Sequence, residues 1–341
     1  MKVLITGAAG FIGSNLAHQI YKKNWEMILI DNLSYGKEEN LKFSDCDLRG
    51  KLIKMDVRDK ERIEELIQKE RFECIFHIAG VAPLPECQSD PAHAIDVNVI
   101  GLVNILEAAR KFGVRKIIFA STTAIYENDT VFPSQEEGFK LPTLIYPNTK
   151  YVAERFCQSY CDTYGMNVSC IRFANVYGPH IDCLRKQPPF VGYMIRELYF
   201  NRIPHFYSNG KQKRDYIFVD DLMDLMFLTI NSEGFECINA ASNKSYSVNE
   251  MFEIAKKIMG KTDIKPVYLE PKKYWDKYPE LYQGAYMISN DILYNEVNKY
   301  TQCSNEYARQ AYGWKPKVSM AEGLSKTIIY MKDQLNLLYG N

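Results

Sequence analysis

A short apolar strand that runs into Gly7-Ala8-Ala9-Gly10-Phe11-Ile12-Gly13 and then into a helical pattern leaves this chain few folds to choose from. At such a junction Gly7 permits the tight turn, Gly10 lets backbone approach a pyrophosphate, and Gly13 lets helix pack on strand. The helix N-terminus then offers free N–H groups and the positive end of its dipole to an anion. A second apolar run, 27–31, ends on Asp31, at the distance expected for a carboxylate that accepts hydrogen bonds from both ribose hydroxyls of a dinucleotide. That carboxylate repels a 2′-phosphate, so NAD is predicted over NADP. An ordinary packing turn accounts for the glycines but not for Asp31.

The alternation continues. Strands are predicted over 3–6, 27–31, 52–56, 74–78, 117–121 and 168–173, with helices over 14–23, 60–69, 92–111 and 147–164. Right-handed crossovers turn that order into an α/β fold of the Rossmann type, a doubly wound parallel sheet. After Gly178 the pattern breaks: Pro179, Pro188, Pro189 and Pro204 punctuate loops and short helices. A strand at 216–219 and a helix from Asp221 follow, and Ser247/Glu250 and Ser319/Glu322 have capping-box spacing. Residues 272–299 lack clean periodicity. The expected division is a dinucleotide-binding domain over 1–178, with a returning segment at about 214–245, and a smaller, loop-rich C-terminal substrate lobe over 179–213 and 246–341.

Composition excludes several classes. Forty-two basic and 42 acidic residues cancel, so no net field attracts nucleic acid. No apolar run approaches the roughly 20 residues that span a bilayer, and the opening strand pattern leaves no signal peptide to expect. Nine cysteines, an odd number, read as reduced thiols in a cytoplasmic protein. Cys157 and Cys161 share a helix face, but no partner set completes a zinc site, so no metal is expected.

Three Tyr/Lys pairs have four-residue spacing: Tyr146/Lys150, Tyr207/Lys211 and Tyr268/Lys272. Only the first opens a long helical pattern one step after a hydroxyl run, Ser121-Thr122-Thr123, at a strand end. The spacing puts both side chains on one helix face, where an ammonium favours the phenolate and fits the phenol to act as a base. Asp56 and Val57 follow the third strand, where a contact with an adenine edge and a helix N-terminal charge weigh equally. In His77-Ile78-Ala79-Gly80 the small residues leave room for a flat cofactor, and His77 reads as a packed core histidine.

With these residues in place, the chain resembles the extended short-chain dehydrogenases/reductases, in the NAD-dependent epimerase/dehydratase branch that acts on nucleotide sugars. The likeness runs from Met1 to about Gly323 and takes in Thr6 to Gly13, Asp31-Asn32-Leu33-Ser34, Asn98-Val99-Ile100-Gly101, Ser121 to Tyr126, Tyr146/Lys150, Arg172 to Gly178, Arg214 to Asp221 and Gly313-Trp314-Lys315-Pro316. It implies Thr122, Tyr146 and Lys150 as catalytic residues, Thr122 standing four before the tyrosine of Ile125-Tyr126-Glu127. It places Gly7, Gly10, Phe11, Ile12, Gly13, Asp31, Asn32, Asp56, Val57, Ala79, Tyr146 and Lys150 on NAD. Thr122, Tyr146, Asn175 and Arg214 fall to a nucleotide-diphosphate sugar, and Asn98 to a structural or cofactor-side role. Family members often dimerise through the helices matching 92–111 and 147–164, so a homodimer is implied.

Within the family, dehydratases follow the catalytic hydroxyl with acidic residues, whereas here Thr123 and Ala124 follow it. What remains is epimerisation of the sugar, expected at C4, by transient hydride transfer to tightly bound NAD through a 4-keto intermediate; the likeness to UDP-glucose and UDP-N-acetylhexosamine 4-epimerases points the same way. The alternatives are a dehydrogenase, reductase or dehydratase with a net change in the sugar, and a non-catalytic NAD-binding scaffold. His180, after Gly178-Pro179, sits where some relatives carry a catalytic histidine. Three departures stand out: Pro147-Asn148 after Tyr146, Glu127 after Tyr126, and no arginine between Pro266 and Asn298, where lysines 272, 273 and 277 stand, with Lys299 just beyond.

Overall fold

The computed structural model describes residues 1–339. The chain begins with β1 (Lys2–Thr6), α1 (Phe11–Lys22), β2 (Glu26–Asp31), β3 (Leu52–Lys54), α2 (Lys60–Glu70), β4 (Cys74–His77), α3 (Leu84–Ser89), α4 (Pro91–Ile95), α5 (Gly101–Phe112), β5 (Lys116–Thr122), α6 (Ile145–Tyr164) and β6 (Val168–Phe173). It continues through β7 (Asn175–Tyr177), α7 (Phe190–Tyr199), β8 (His205–Tyr207), β9 (Lys213–Phe218), α8 (Val219–Leu228), β10 (Phe235–Ala240), β11 (Ser245–Ser247), α9 (Val248–Met259), β12 (Val267–Leu269), α10 (Asn290–Asn298), α11 (Glu306–Tyr312) and α12 (Met320–Tyr339).

Seven parallel strands form the central sheet in the order β10-β6-β5-β4-β1-β2-β3. Side chains alternate across it, as a strand's two-residue period demands. Val3 and Ile5 share one core with Leu16 and Ile20 of α1 and Leu222 of α8, while Leu4 shares the other with Ile63 of α2 and Leu102 and Ile105 of α5. Both faces are covered, the arrangement a parallel sheet requires. Strand order reverses between β1 and β4, which opens a crevice at their carboxyl ends.

Several expectations shift in detail. β3 stops at Lys54, because Asp56 turns the chain by accepting from Arg58 N at 2.9 Å. Helix 92–111 is interrupted by a π-turn over Asp96–Ile100. Pro91–Phe112 is long and apolar enough to cross a bilayer, contrary to the reading above, yet 61% of its apolar stretch lies inside the fold. Strand β10 escaped the sequence reading, and it closes the sheet beside β6. β9 starts earlier than expected and pairs with β7 and β11 in a separate three-stranded sheet. The capping box at Ser247/Glu250 is formed in both directions, at 3.1 and 2.7 Å. Within 272–299 short 3-10 turns precede α10, which Ser289 caps through Asp291 N at 3.2 Å.

Candidate active site

One cleft of about 660 Å³ runs from the carboxyl ends of β1, β2, β4 and β5 to the residues contributed by 181–216 and 274–301. At its first end Gly7 has φ +66°, and a Cβ there would meet Ala79 backbone at 2.8 Å; a Cβ on Gly13 would run into the Gly7 carbonyl. Both positions therefore need glycine, as the turn predicts. α1 begins at Phe11 without a side-chain cap or an acidic residue in its first turn. Its Phe11, Ile12 and Gly13 line the cleft, so a positive helix end faces it.

Asp31 also lines the cleft, its carboxylate held by Ala9 N at 3.0 Å and Leu33 N at 2.7 Å. Burial pushes its pKa up, against those backbone donors. Asn32, Val57 and Ala79 join the wall. Asp56 does not. Arg58 grips its carboxylate through Nε (2.9 Å) and Nη2 (2.8 Å), and Asn32 Nδ2 adds a third bond at 2.9 Å. Chiefly through the Arg58 hydrogen bond, the carboxyl is held well below the usual range. Asp56 is thus paired with Arg58 and Asn32 beside the cleft, and Val57 is the neighbour that lines it.

Of the three hydroxyls at the end of β5, two are committed elsewhere. Ser121 donates to Glu154 Oε1 at 2.5 Å, and Thr123 donates to the Phe173 carbonyl at 3.2 Å. Thr122 only accepts, from Ala124 N at 3.1 Å, which leaves its O–H free to donate. Tyr146 lines the same part of the cleft; loss of solvent pushes its phenol up to about 12, and the Thr122 hydroxyl pulls it down. Lys150 behaves differently from expectation. Its Nζ donates to the Ala120 carbonyl at 2.9 Å and lies 4.8 Å from the Phe119 ring centroid, and burial lowers its pKa to about 8. Among titratable neighbours, Cys87 pushes the Tyr146 phenol up and Arg185 pulls it down, both less than burial and the Thr122 hydroxyl do.

The two histidines are packed. Thr6 Oγ1 accepts from Ile78 N and Ala79 N, so its own proton goes to His77 Nδ1 at 2.9 Å; burial lowers this histidine to about 3. His180 is buried outside the cleft wall, stacked between Phe43 and Tyr330 at 5.3 and 4.6 Å, with Nδ1 3.0 Å from Ser14 Oγ. Burial lowers it to about 4, and a catalytic role for it has no geometric support. Asn98 is structural: it bonds both backbone groups of Val81 and Thr149 Oγ1 at 2.8–3.0 Å.

At the far end Asn175 and Arg214 both line the cleft. Asn175 Nδ2 donates to the Asp215 carbonyl at 2.9 Å. The Arg214 guanidinium donates to the Glu296 and Val297 carbonyls (2.8 and 3.3 Å) and to that of Lys299, and so caps the C-terminus of α10. Of the lysines, Lys277 and Lys299 reach the cleft wall and Lys272 and Lys273 do not. Arg185, Gln187 and Tyr274 were missed by the sequence reading, since they stand in proline-rich or aperiodic segments with no motif around them. Away from the cleft, His18, Asp45 and Cys46 bring ligand atoms within 4.8 Å of one another, although His18 is already bonded to Asp45 at 2.8 Å.

Comparison with known proteins places this geometry. Residues 3–241 match the model of the NAD dependent epimerase/dehydratase family. A UDP-glucose 4-epimerase of Mycolicibacterium smegmatis is 28% identical over 98% of this chain and 99% of its own. Among solved structures, the UDP-glucose 4-epimerase of Thermotoga maritima with UDP-glucose has a TM-score of 0.85 at 31% identity, covering 98% of this chain and 100% of that one. The Thermus thermophilus UDP-glucose 4-epimerase in complex with NAD has a TM-score of 0.80 at 26% identity, over 97% and 99%. With a family match spanning most of its length, this chain belongs to the NAD-dependent epimerase/dehydratase family.

Proposed function

We propose that this chain is an NAD-dependent epimerase acting at C4 of a nucleotide-diphosphate sugar, with UDP as the nucleotide. The observation that carries the reading is the meeting, in one cleft, of the uncapped α1 N-terminus, Asp31 and the Thr122–Tyr146 pair. The UDP-sugar and NAD bound by the two solved relatives supply the ligand classes. The residues fit NAD: Gly7 and Gly13 leave room for backbone approach, the helix end takes the pyrophosphate, and Asp31 takes a ribose.

NAD supplies a hydride acceptor and donor when bound. Tyr146 takes the proton of the sugar hydroxyl as oxidation proceeds and returns one on reduction, so no net redox accumulates. Thr122, whose hydroxyl lowers the Tyr146 phenol, has one O–H, which turns to the sugar oxygen once substrate is bound. Lys150, with one donor fixed on Ala120, keeps the others for the cofactor. Asn175 and Arg214 border the diphosphate end. Elimination lacks an acid beside Thr122, because Thr123 is bonded to Phe173 and Ala124 has no proton to give. Purified protein incubated with UDP-, GDP-, CDP- and dTDP-sugars is expected to give a C4 epimer of equal mass by NMR, without NADH absorbance. NADH accumulation or a product of altered mass would overturn the reading.

Asp31→Ala removes the charge that opposes a 2′-phosphate. NAD over NADP preference, measured as the ratio of kcat/KM after loading each cofactor, is expected to fall about tenfold.

The same reading carries a cytoplasmic homodimer. Ile95 and Ile100 on the α4–α5 segment and Val152 and Phe156 on α6 are 40–47% exposed on neighbouring helices. Light scattering is expected to show a two-chain particle, and Phe156→Asp a monomer.

A further inference from the structure

We infer that Glu127 and Gln88 are positioning residues for Tyr146, holding from two other elements the start of a helix that has no cap of its own. The inference rests on the role proposed above for Tyr146. The N-cap of α6 is Leu144, which offers no side-chain acceptor, and Pro147 has no N–H. Three consecutive backbone donors just ahead of Tyr146 are met from outside instead. Glu127 Oε1 accepts from Thr143 N and from Leu144 N, the latter at 2.8 Å. Gln88 Oε1 accepts from Ile145 N at 3.1 Å.

Glu127 lies directly after the 3-10 turn Thr123–Tyr126 that Thr122 caps, and Gln88 lies on α3. The clamp thus ties the turn beside one catalytic hydroxyl to the helix that carries the other. A carboxylate at a helix N-terminus is also favoured by the dipole. Two departures from the family pattern, Glu127 and Pro147, meet at this one helix start. Without the clamp the N–H groups of Thr143, Leu144 and Ile145 lose their acceptors and the helix start frays, and a small displacement of a base from its proton costs rate steeply.

The test compares Glu127→Ala with Glu127→Gln, whose amide oxygen still accepts both N–H groups. For Glu127→Ala, kcat per bound NAD is expected to fall about tenfold with KM for the nucleotide sugar within about twofold. Amide exchange at 143–145 should quicken in the same variant. Glu127→Gln should restore both. Unchanged kcat in folded Glu127→Ala, unchanged amide exchange, or Glu127→Gln as slow as Glu127→Ala would each overturn the clamp. If Glu127→Ala does not fold, Gln88→Ala removes the single bond to Ile145, and is expected to lower kcat about threefold; a kcat equal to wild type rejects the inference. A wild-type protein that epimerises no nucleotide sugar would remove the functional reading, while amide exchange still decides whether Glu127 holds the helix.

Discussion

Tyr146→Phe is expected to lower kcat about 10³-fold, with NAD content and melting temperature close to wild type. The substitution deletes one oxygen and keeps the ring that forms part of the cleft wall, so packing is conserved. What is lost is the proton acceptor, and a positioned general base contributes about 10²–10⁴ in rate. Desolvation holds the phenol protonated, up to about 12, against the pull of Thr122 and Arg185. Lowering the pH adds protons to this group, so wild-type kcat should rise with pH along a limb that the phenylalanine variant lacks. On the proposed reading NAD is held chiefly by the Gly7–Gly13 turn and Asp31, so deleting the Tyr146 oxygen should leave NAD content close to wild type. Stopped assays followed by NMR, with bound NAD quantified after protein denaturation, give all three readouts. A variant within about tenfold of wild type would exclude Tyr146 as the base.

The sheet was readable because its signals are local. Each central strand is a short apolar run, and the turn at Gly7–Gly13 carries its own chemistry. β10 was not readable, since Phe235-Glu236-Cys237-Ile238 mixes polar and apolar residues and Glu236 is buried through distant partners, bonding Ser169, Ser232 and Tyr312 with the Lys116 ammonium 4.0 Å away. The family resemblance singled out Thr122 among three adjacent hydroxyls, but the physical reason lies far along the chain: Glu154 takes the Ser121 hydroxyl and the Phe173 carbonyl takes that of Thr123. Four-residue spacing placed Tyr146 and Lys150 on one helix, but not the Ala120 carbonyl that takes the Lys150 ammonium. Arg185 and Glu127 act through tertiary position alone.

Glu154→Ala is expected to destabilise the fold by about 3–5 kcal/mol, because it breaks a buried ion pair beside the site. Glu154 on α6 and Arg172 on β6 form a two-pronged pair, Nε–Oε1 2.8 Å and Nη2–Oε2 2.7 Å, with each side chain under 5% exposed. Truncation leaves the guanidinium buried with only Tyr126 Oη at 2.8 Å and the Glu136 carbonyl at 2.7 Å. It also strips Ser121 of its acceptor. The cost comes from the uncompensated charge rather than from the pair itself, because two desolvated ions return little net energy. The double variant Glu154→Leu/Arg172→Met should therefore recover at least about half of the loss. Urea midpoints at constant m read the difference. A single variant within about 1 kcal/mol of wild type would mean that water or a neighbour re-pairs Arg172. A double variant no better than the single one would mean that the pair fixes geometry that apolar side chains do not reproduce, at the junction where α6 and β5 bring Tyr146 to Thr122.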